Sequence, residues 1–384
     1  MKIIKKFHTL GIGGVVLLLF NPWQYLLAQP NQTRLLVNSY YGKYDIHKKQ
    51  AGFPSRSLNG PKQESWQSPA PTDKNYRIGV LFPHLKDPYW LAVNYGILTQ
   101  AKKLNLSFKL LSAGGYSQAD KQKKQLKQLF EEKVDGIILA SISYTALDDL
   151  VAQISNAGLP VIEVVNDIYS PDIQAKALVS FYDMGYQAAK FVVNDTEKQQ
   201  IKVGFFPGPK GSGWAPETLK GFFAVQRENP GKIRIFPPKW GDTDYQVQRQ
   251  LIKDFIKKRP DIDYIVGNAV AAEVAVEVLA EMELSDRIKI VSTYIIPTIY
   301  EKVKTGEITA APSDVTVAQG KMAMDMMLRI LNGEKPGIDF PFRAGPIIPV
   351  ISKGNIAQYS YEEFFGQPEF KPVFNYQPTL KNNN

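Results

Sequence analysis

The sequence predicts an α/β protein of two doubly wound parallel-sheet lobes in series. Three observations predict it. Short apolar runs alternate with amphipathic helical stretches from residue 76 to residue 331. The apolar runs are continuous, as in strands covered on both faces by helices. The alternation occurs twice, and a chain of 384 residues has room for two ordinary domains.

In the first set, 77–82 reads as a strand, and Asp87 caps a helix with Pro88 at its first position. A strand over 106–111, a charged amphipathic helix over 118–132 and a strand over 136–140 follow. A helix over 145–157 and a strand over 160–165 complete the set. The second set begins with an extended 177–181 and a helix over 184–193. Strands at 203–206, 233–236, 264–266 and 288–292 then alternate with helices at 217–227, 245–258 and 271–282. A last helix, near 317–331, is rich in Met, which at helical spacing reads as core filler. Residues 29–75 are polar and interrupted by Pro, Gly, Ser and Asn, and Ser68-Pro69-Ala70-Pro71-Thr72 reads as a linker. This extension is expected to have no regular fold.

Composition excludes much. The chain has no Cys, so thiol catalysis, zinc-thiolate sites, iron–sulfur clusters and disulfides are excluded. It has three His, which argues against metal sites and nucleophilic triads. No cofactor is expected. Residues 1–28 read as an export signal: Lys2, Lys5 and Lys6 precede an eleven-residue apolar run over 10–20, broken by Asn21-Pro22, with a cut after Ala28. The uninterrupted run is too short to cross ~30 Å of hydrocarbon. The formal charge of +9 is spread along the chain, with no nucleic-acid motif beside it.

The segment 77–82 followed by Asp87-Pro88-Tyr89-Trp90 resembles the start of the type I periplasmic binding proteins of the ribose-binding-like class. Pro160-Val161-Ile162, Val266-Gly267-Asn268-Ala269 and the stretch 290–294 fall where that class has a strand start and two ligand-facing strand ends. One branch resembles the chain far more than the sugar binders do: the branch that binds trimethylamine N-oxide (TMAO) and signals through a membrane histidine kinase. The similarity rests on Asp87, Tyr89-Trp90-Leu91, Asn94-Tyr95-Gly96, the run 113–118, Val161-Ile162-Glu163, Asn166 and the run 184–187, all in the same order. The resemblance implies two lobes joined by a multi-stranded hinge. It divides the chain into a signal (1–28), an extension (29–75), a first lobe (76–180 with 315–341), a second lobe (181–314 with 342–365) and a tail (366–384).

Ligands of open α/β sheets sit at the carboxyl ends of strands, so the cleft between two such lobes is the natural site. The loops and strand ends there carry Tyr89, Trp90, Tyr116, Phe181, Trp214, Trp240 and Tyr294. Aromatic faces attract a methylated cation at ~0.5–2 kcal/mol per ring. Tyr hydroxyls, an indole N–H and Asn268 are candidate donors to an oxygen, and Asp87 and Asp314 are candidate counter-charges. The resemblance implies that Tyr89, Trp90, Tyr116, Phe181 and Tyr294 line an aromatic box. At Phe181 the TMAO-binding branch carries Trp, so a donor N–H is lost. By the same comparison the Asp-Arg pair of ribose binders becomes Val165-Asn166 and a later Asp becomes Tyr294, which removes charged sugar contacts.

Each residue has a competing structural role. Adjacent helical residues point about 100° apart, so one of Tyr89 and Trp90 can be core. Phe181 can pack the hinge, Asp87 is first a helix cap, Asp314 can serve a turn, and Trp240 can be a surface contact. His84 reads as a satisfied loop residue rather than a base, and Glu163 as the acid in a buried strand. Three functions remain in view. The first is a periplasmic sensory binding protein for TMAO or a similar small methylated amine, partnered by a sensor histidine kinase. The second is a binding protein feeding an ABC permease with a small osmolyte or sugar-like solute. The third and least supported is an enzyme.

Overall fold

The computed structural model describes residues 35–48, 55, 57–210 and 212–379. The expected export signal lies outside the described residues. Strands β1 (Leu36–Tyr41) and β2 (Asn59–Ser65) open the chain. The first expected set follows as β3 (Arg77–Phe82), α1 (Pro88–Leu104), β4 (Ser107–Ser112), α2 (Ala119–Glu131), β5 (Gly136–Leu139), α3 (Asp148–Asn156), β6 (Val161–Val164) and β7 (Ala175–Ala177). The second set is α4 (Phe181–Asn194), β8 (Ile201–Phe206), α5 (Trp214–Glu228), β9 (Ile233–Ile235), α6 (Tyr245–Lys258), β10 (Tyr264–Gly267), α7 (Ala269–Glu281), β11 (Lys289–Ser292), α8 (Pro297–Thr305) and β12 (Ala310–Pro312). The chain ends with α9 (Thr316–Leu331), β13 (Arg343–Pro346), β14 (Val350–Ser352), α10 (Tyr361–Phe365) and β15 (Asn375–Tyr376).

Two sheets result. The first runs β15-β4-β3-β5-β6-β7-β13-β1-β2, and the second β14-β12-β11-β10-β8-β9. Their interiors are parallel, and the antiparallel strands lie at the edges. Each sheet is packed on both faces. Ile78, Val80 and Ile138 meet the α1 and α9 side, while Leu81, Ile137 and Leu139 meet α2 and α3. The Met residues of α9 are buried in the first of these cores, as expected. Helices α1 and α9 cross closely: a Cβ on Gly96 would lie 2.1 Å from the Val317 carbonyl oxygen.

The chain crosses between sheets three times, at 178–180, 313–315 and 347–349. Two expectations are corrected. The extension is not irregular, because β1 and β2 form a hairpin that continues the first sheet beyond β13. Its polar strand β2 lacks the alternation that betrays a strand, since it is a largely exposed edge. The boundary at 342 also shifts. Strand β13 pairs in parallel with β7 of the first sheet, and only β14 joins the second.

Candidate ligand-binding site

Helix α1 begins as expected. Asp87 is extended, its carboxylate accepts from the Trp90 N–H at 3.2 Å, and Pro88 sits in the first turn. This cap fixes where Tyr89 and Trp90 leave the backbone. Trp90 is 2% exposed and rests on Phe82, with ring centroids 5.0 Å apart. Tyr89 turns toward the other lobe, where its hydroxyl donates to the Asp314 carboxylate. Asp314 lies in the second crossing, just before α9.

A cavity of about 300 Å³ opens between the lobes. It is lined by Tyr89, Trp90, Tyr116, Phe181, Tyr294, Asp87 and Asp314 among the expected residues, together with Trp214 and His84. Six of the rings form one continuous edge-to-face series. Trp214 meets Tyr294 at 6.0 Å, Tyr294 meets Tyr89 at 6.3 Å, and Tyr89 meets Trp90 at 5.6 Å. Trp90 then meets His84 at 6.3 Å and His84 meets Tyr116 at 5.5 Å. The series starts in the second lobe and ends in the first. Tyr116, 42% exposed, forms its outer end.

The electrostatics follow from burial. Asp314, 2% exposed, is pushed up to about 6 by loss of solvent, and the bond from Tyr89 pulls the other way. Asp87 is also raised by burial, opposed by His84 and by the backbone N–H groups of Trp90 and Tyr89. Burial lowers His84, which leaves it neutral at pH 7 beside the Asp87 carboxylate, 3.8 Å away. Burial raises Tyr89 and Tyr294, so both hydroxyls stay protonated. The cavity therefore offers π faces, hydroxyl donors and two carboxylates.

Several lining residues were not singled out from sequence as ligand contacts: Asn166, Met184, Thr218, Thr243, Val270, Thr293 and Ile296. Met184, Thr218 and Val270 project from helices, and the others follow the carboxyl ends of strands or lie in the loops there. Asn166 donates to the Ser141 carbonyl at 2.8 Å and to the Tyr116 hydroxyl at 3.4 Å. The Thr293 hydroxyl and His84 Nδ1 are buried with no hydrogen-bond partner among the described residues. Two valines beside lining residues have positive φ: Val165 at +66°, before Asn166, and Val315 at +46°, after Asp314. Such a conformation costs a residue on the order of 1–3 kcal/mol and persists where the surroundings impose it.

Three other residues singled out from the sequence lie outside the cavity. Asn268 is not among the lining residues. It caps α7, accepting from the Ala271 N–H at 3.1 Å and donating to the Phe206 carbonyl at 3.2 Å. Trp240 packs on the core of the second sheet, outside the cavity. Glu163 is buried in β6 and paired with Lys176 at 3.2 Å, which Asp167 also holds at 2.5 Å. It is part of a structural ion cluster beneath the hinge strands.

Two sheets joined by three crossings, with a cavity lined from both sides, define a two-lobed ligand-binding protein. Residues 78–335 match the family model described as a periplasmic binding protein domain, and the chain belongs to that family, with its type I fold. The chain is 33% identical over 312 residues to the periplasmic protein TorT of Escherichia coli K12, covering 81% of this chain and 88% of the relative. Among solved structures, it is similar to an ABC transporter solute binding protein from Bradyrhizobium sp. BTAi1 with bound Bis-Tris. That match has a TM-score of 0.77 at 35% identity and covers 88% of this chain and 98% of the other. It is also similar to a chain in the complex of the TorS sensor domain with TorT in the presence of TMAO. There the TM-score is 0.69 at 28% identity, covering 78% of this chain and 100% of the other.

Proposed function

We propose that this chain is an exported, non-enzymatic sensory protein. It binds TMAO or a similar small methylated amine between its lobes and reports to the periplasmic domain of a membrane sensor histidine kinase. The observation that carries the reading is the gathering of Tyr89, Trp90, Tyr116, Phe181, Trp214 and Tyr294 with Asp87 and Asp314 around one cavity. Rings attract a methylated nitrogen through their quadrupoles, and the carboxylates balance its charge. Thr293 lines the cavity and its hydroxyl has no partner among the described residues, so it is a candidate donor to an oxygen on that nitrogen in place of the donor missing at Phe181.

The cavity draws on both lobes, so a ligand contacts more protein when they are closed. That difference in affinity is what shifts the balance toward the closed form, and hence the surface offered to a kinase. The similarity to TorT and to its complex with TorS supports the kinase partner.

A second reading has a specific observation behind it. The relative with bound Bis-Tris is described as an ABC transporter solute binding protein, and Bis-Tris is itself a substituted amine. Two measurements separate the readings. Calorimetry with TMAO, trimethylamine, glycine betaine, choline and ribose tests the ligand, and ribose binding without any amine binding refutes it. Co-elution with the periplasmic domain of a sensor kinase encoded beside this chain tests the partner, and co-elution with a permease instead favours transport.

A further inference from the structure

We infer that the ligand is an ammonium compound with a hydroxylated arm, its methylated head in the ring-lined cavity and its arm in a polar chamber beside it. The inference rests on the ring-lined cavity being a methylammonium site. A second cavity, of about 420 Å³, adjoins the first. The two share Tyr116, Asn166, Phe181 and Trp214, so they meet at one wall. Size is the first argument. TMAO has five non-hydrogen atoms and fills on the order of 100 Å³, scaled from ~30 Å³ per water. Such a molecule occupies a fraction of the first cavity and none of the second.

Polarity is the second argument. Beside the shared rings Tyr116, Phe181 and Trp214, the second cavity adds the hydroxyl-bearing Ser141, Ser143, Thr145, Ser212 and Tyr144, which the first does not have. The Ser141 and Ser212 hydroxyls already donate to the Ser143 and Pro209 carbonyls, so their oxygens are left to accept, which suits the O–H of an alcohol. Charge selects further. The one carboxylate among the described lining residues of the second chamber is that of Asp167, and it is held by Lys176 at 2.5 Å. No Lys or Arg among the described residues lines it, and two of its Ser protons are committed to backbone carbonyls, so a carboxylate arm finds no counter-charge and few donors there, whereas a hydroxyl arm finds acceptors.

The test is calorimetry with tetramethylammonium, choline, glycine betaine and TMAO on the wild type and on Ala119→Phe. Ala119 lines the second chamber but not the first, so the Phe fills the arm's place and leaves the rings untouched. Choline is expected to bind at least tenfold tighter than tetramethylammonium, with glycine betaine no tighter than tetramethylammonium. In Ala119→Phe choline falls to the level of tetramethylammonium, whose own affinity is unchanged. Equal affinity of choline and tetramethylammonium in the wild type overturns the inference, as does a choline advantage that survives Ala119→Phe. Binding of tetramethylammonium or TMAO in those cases leaves the ring-lined site standing. Failure of all four compounds on folded wild type overturns both.

Discussion

The Tyr89 hydroxyl donates to the Asp314 carboxylate, joining the first turn of α1 to the crossing by which the chain leaves the second sheet. One bond thus ties the expected aromatic wall to the expected counter-charge. It also sets a pH dependence. Asp314 sits near 6 instead of its usual 3.8, so the folded protein holds the acid's proton more tightly than the unfolded chain does. The cost of holding it ionised is fully present above about pH 6 and disappears as pH falls toward 3.8. It amounts to on the order of 3 kcal/mol. A cation of fixed charge needs the carboxylate. Its affinity is expected to hold between pH 7 and 8 and to fall several-fold between pH 6.5 and 5. Asp87 titrates in the same direction, while His84, lowered by burial, gains charge only in acid and adds to the loss. Asp314→Asn should be more thermally stable at pH 8 and bind weakly at every pH. Calorimetry with tetramethylammonium from pH 5 to 8 checks this, and a flat wild-type profile would remove Asp314 as counter-charge.

Trp90 and Tyr116 differ in what their removal reports. Trp90 is core as well as wall, so Trp90→Ala is expected to cost about 3–5 kcal/mol in stability and confounds any binding assay. Tyr116 is exposed at the outer end of the ring series, with its hydroxyl beside Asn166. Tyr116→Ala should melt within a few degrees of wild type and bind the ligand at least fivefold more weakly. Unchanged affinity in the folded variant would place Tyr116 outside the site.

Gly213 faces Tyr144 across the cleft. A Cβ there would lie 1.7 Å from the Tyr144 ring, which is itself stacked on Tyr169 at 4.5 Å. The lobes meet at this point because one partner has no side chain. Gly213→Ala is expected to fold normally yet close poorly, lowering ligand affinity about tenfold. Adding Tyr144→Ala should restore part of that loss, a coupling that a double-mutant cycle measures. Additive losses in the two variants would show that the ring does not limit closure.

The alternation of strands and helices was readable because buried parallel strands are continuous apolar runs and because Asp87-Pro88 is a strong helix start. The clustering of six aromatics was readable once the strand ends were ordered. Asn268 was misassigned because a strand-end Asn looks the same whether it caps the next helix or faces a ligand. The stretch holding Thr293 was readable as a ligand-facing strand end, but that its hydroxyl is buried with no partner among the described residues is a property of packing, and no spacing announces it. The hairpin of β1 and β2 was missed for a related reason. An edge strand of polar residues carries no apolar period, and its partner β13 lies some 300 residues on along the chain.

That hairpin is anchored by its far end, and the anchor is testable. The Trp66 indole N–H donates to Asp325 Oδ2 at 2.7 Å, and the Ser68 hydroxyl donates to the same oxygen at 2.9 Å. Gln100 donates to the other oxygen. Asp325 is fully buried in α9, and burial raises it to about 6 against the pull of these three donors. The donors therefore stabilise the ionised form, and removing one raises the group further. Trp66→Phe keeps most of the ring's packing on the first core but leaves Oδ2 one donor short, at a cost of about 1–3 kcal/mol where Asp325 is charged. Above about pH 6 the variant should therefore melt clearly below wild type. Toward pH 4.5 both proteins hold Asp325 protonated, the lost bond is then one to a neutral acid, and the gap should narrow. Thermal melts of both proteins at pH 8 and pH 4.5 decide it. A gap of the same size at both values would mean that Trp66 holds the extension by packing alone, with no contribution from the carboxylate.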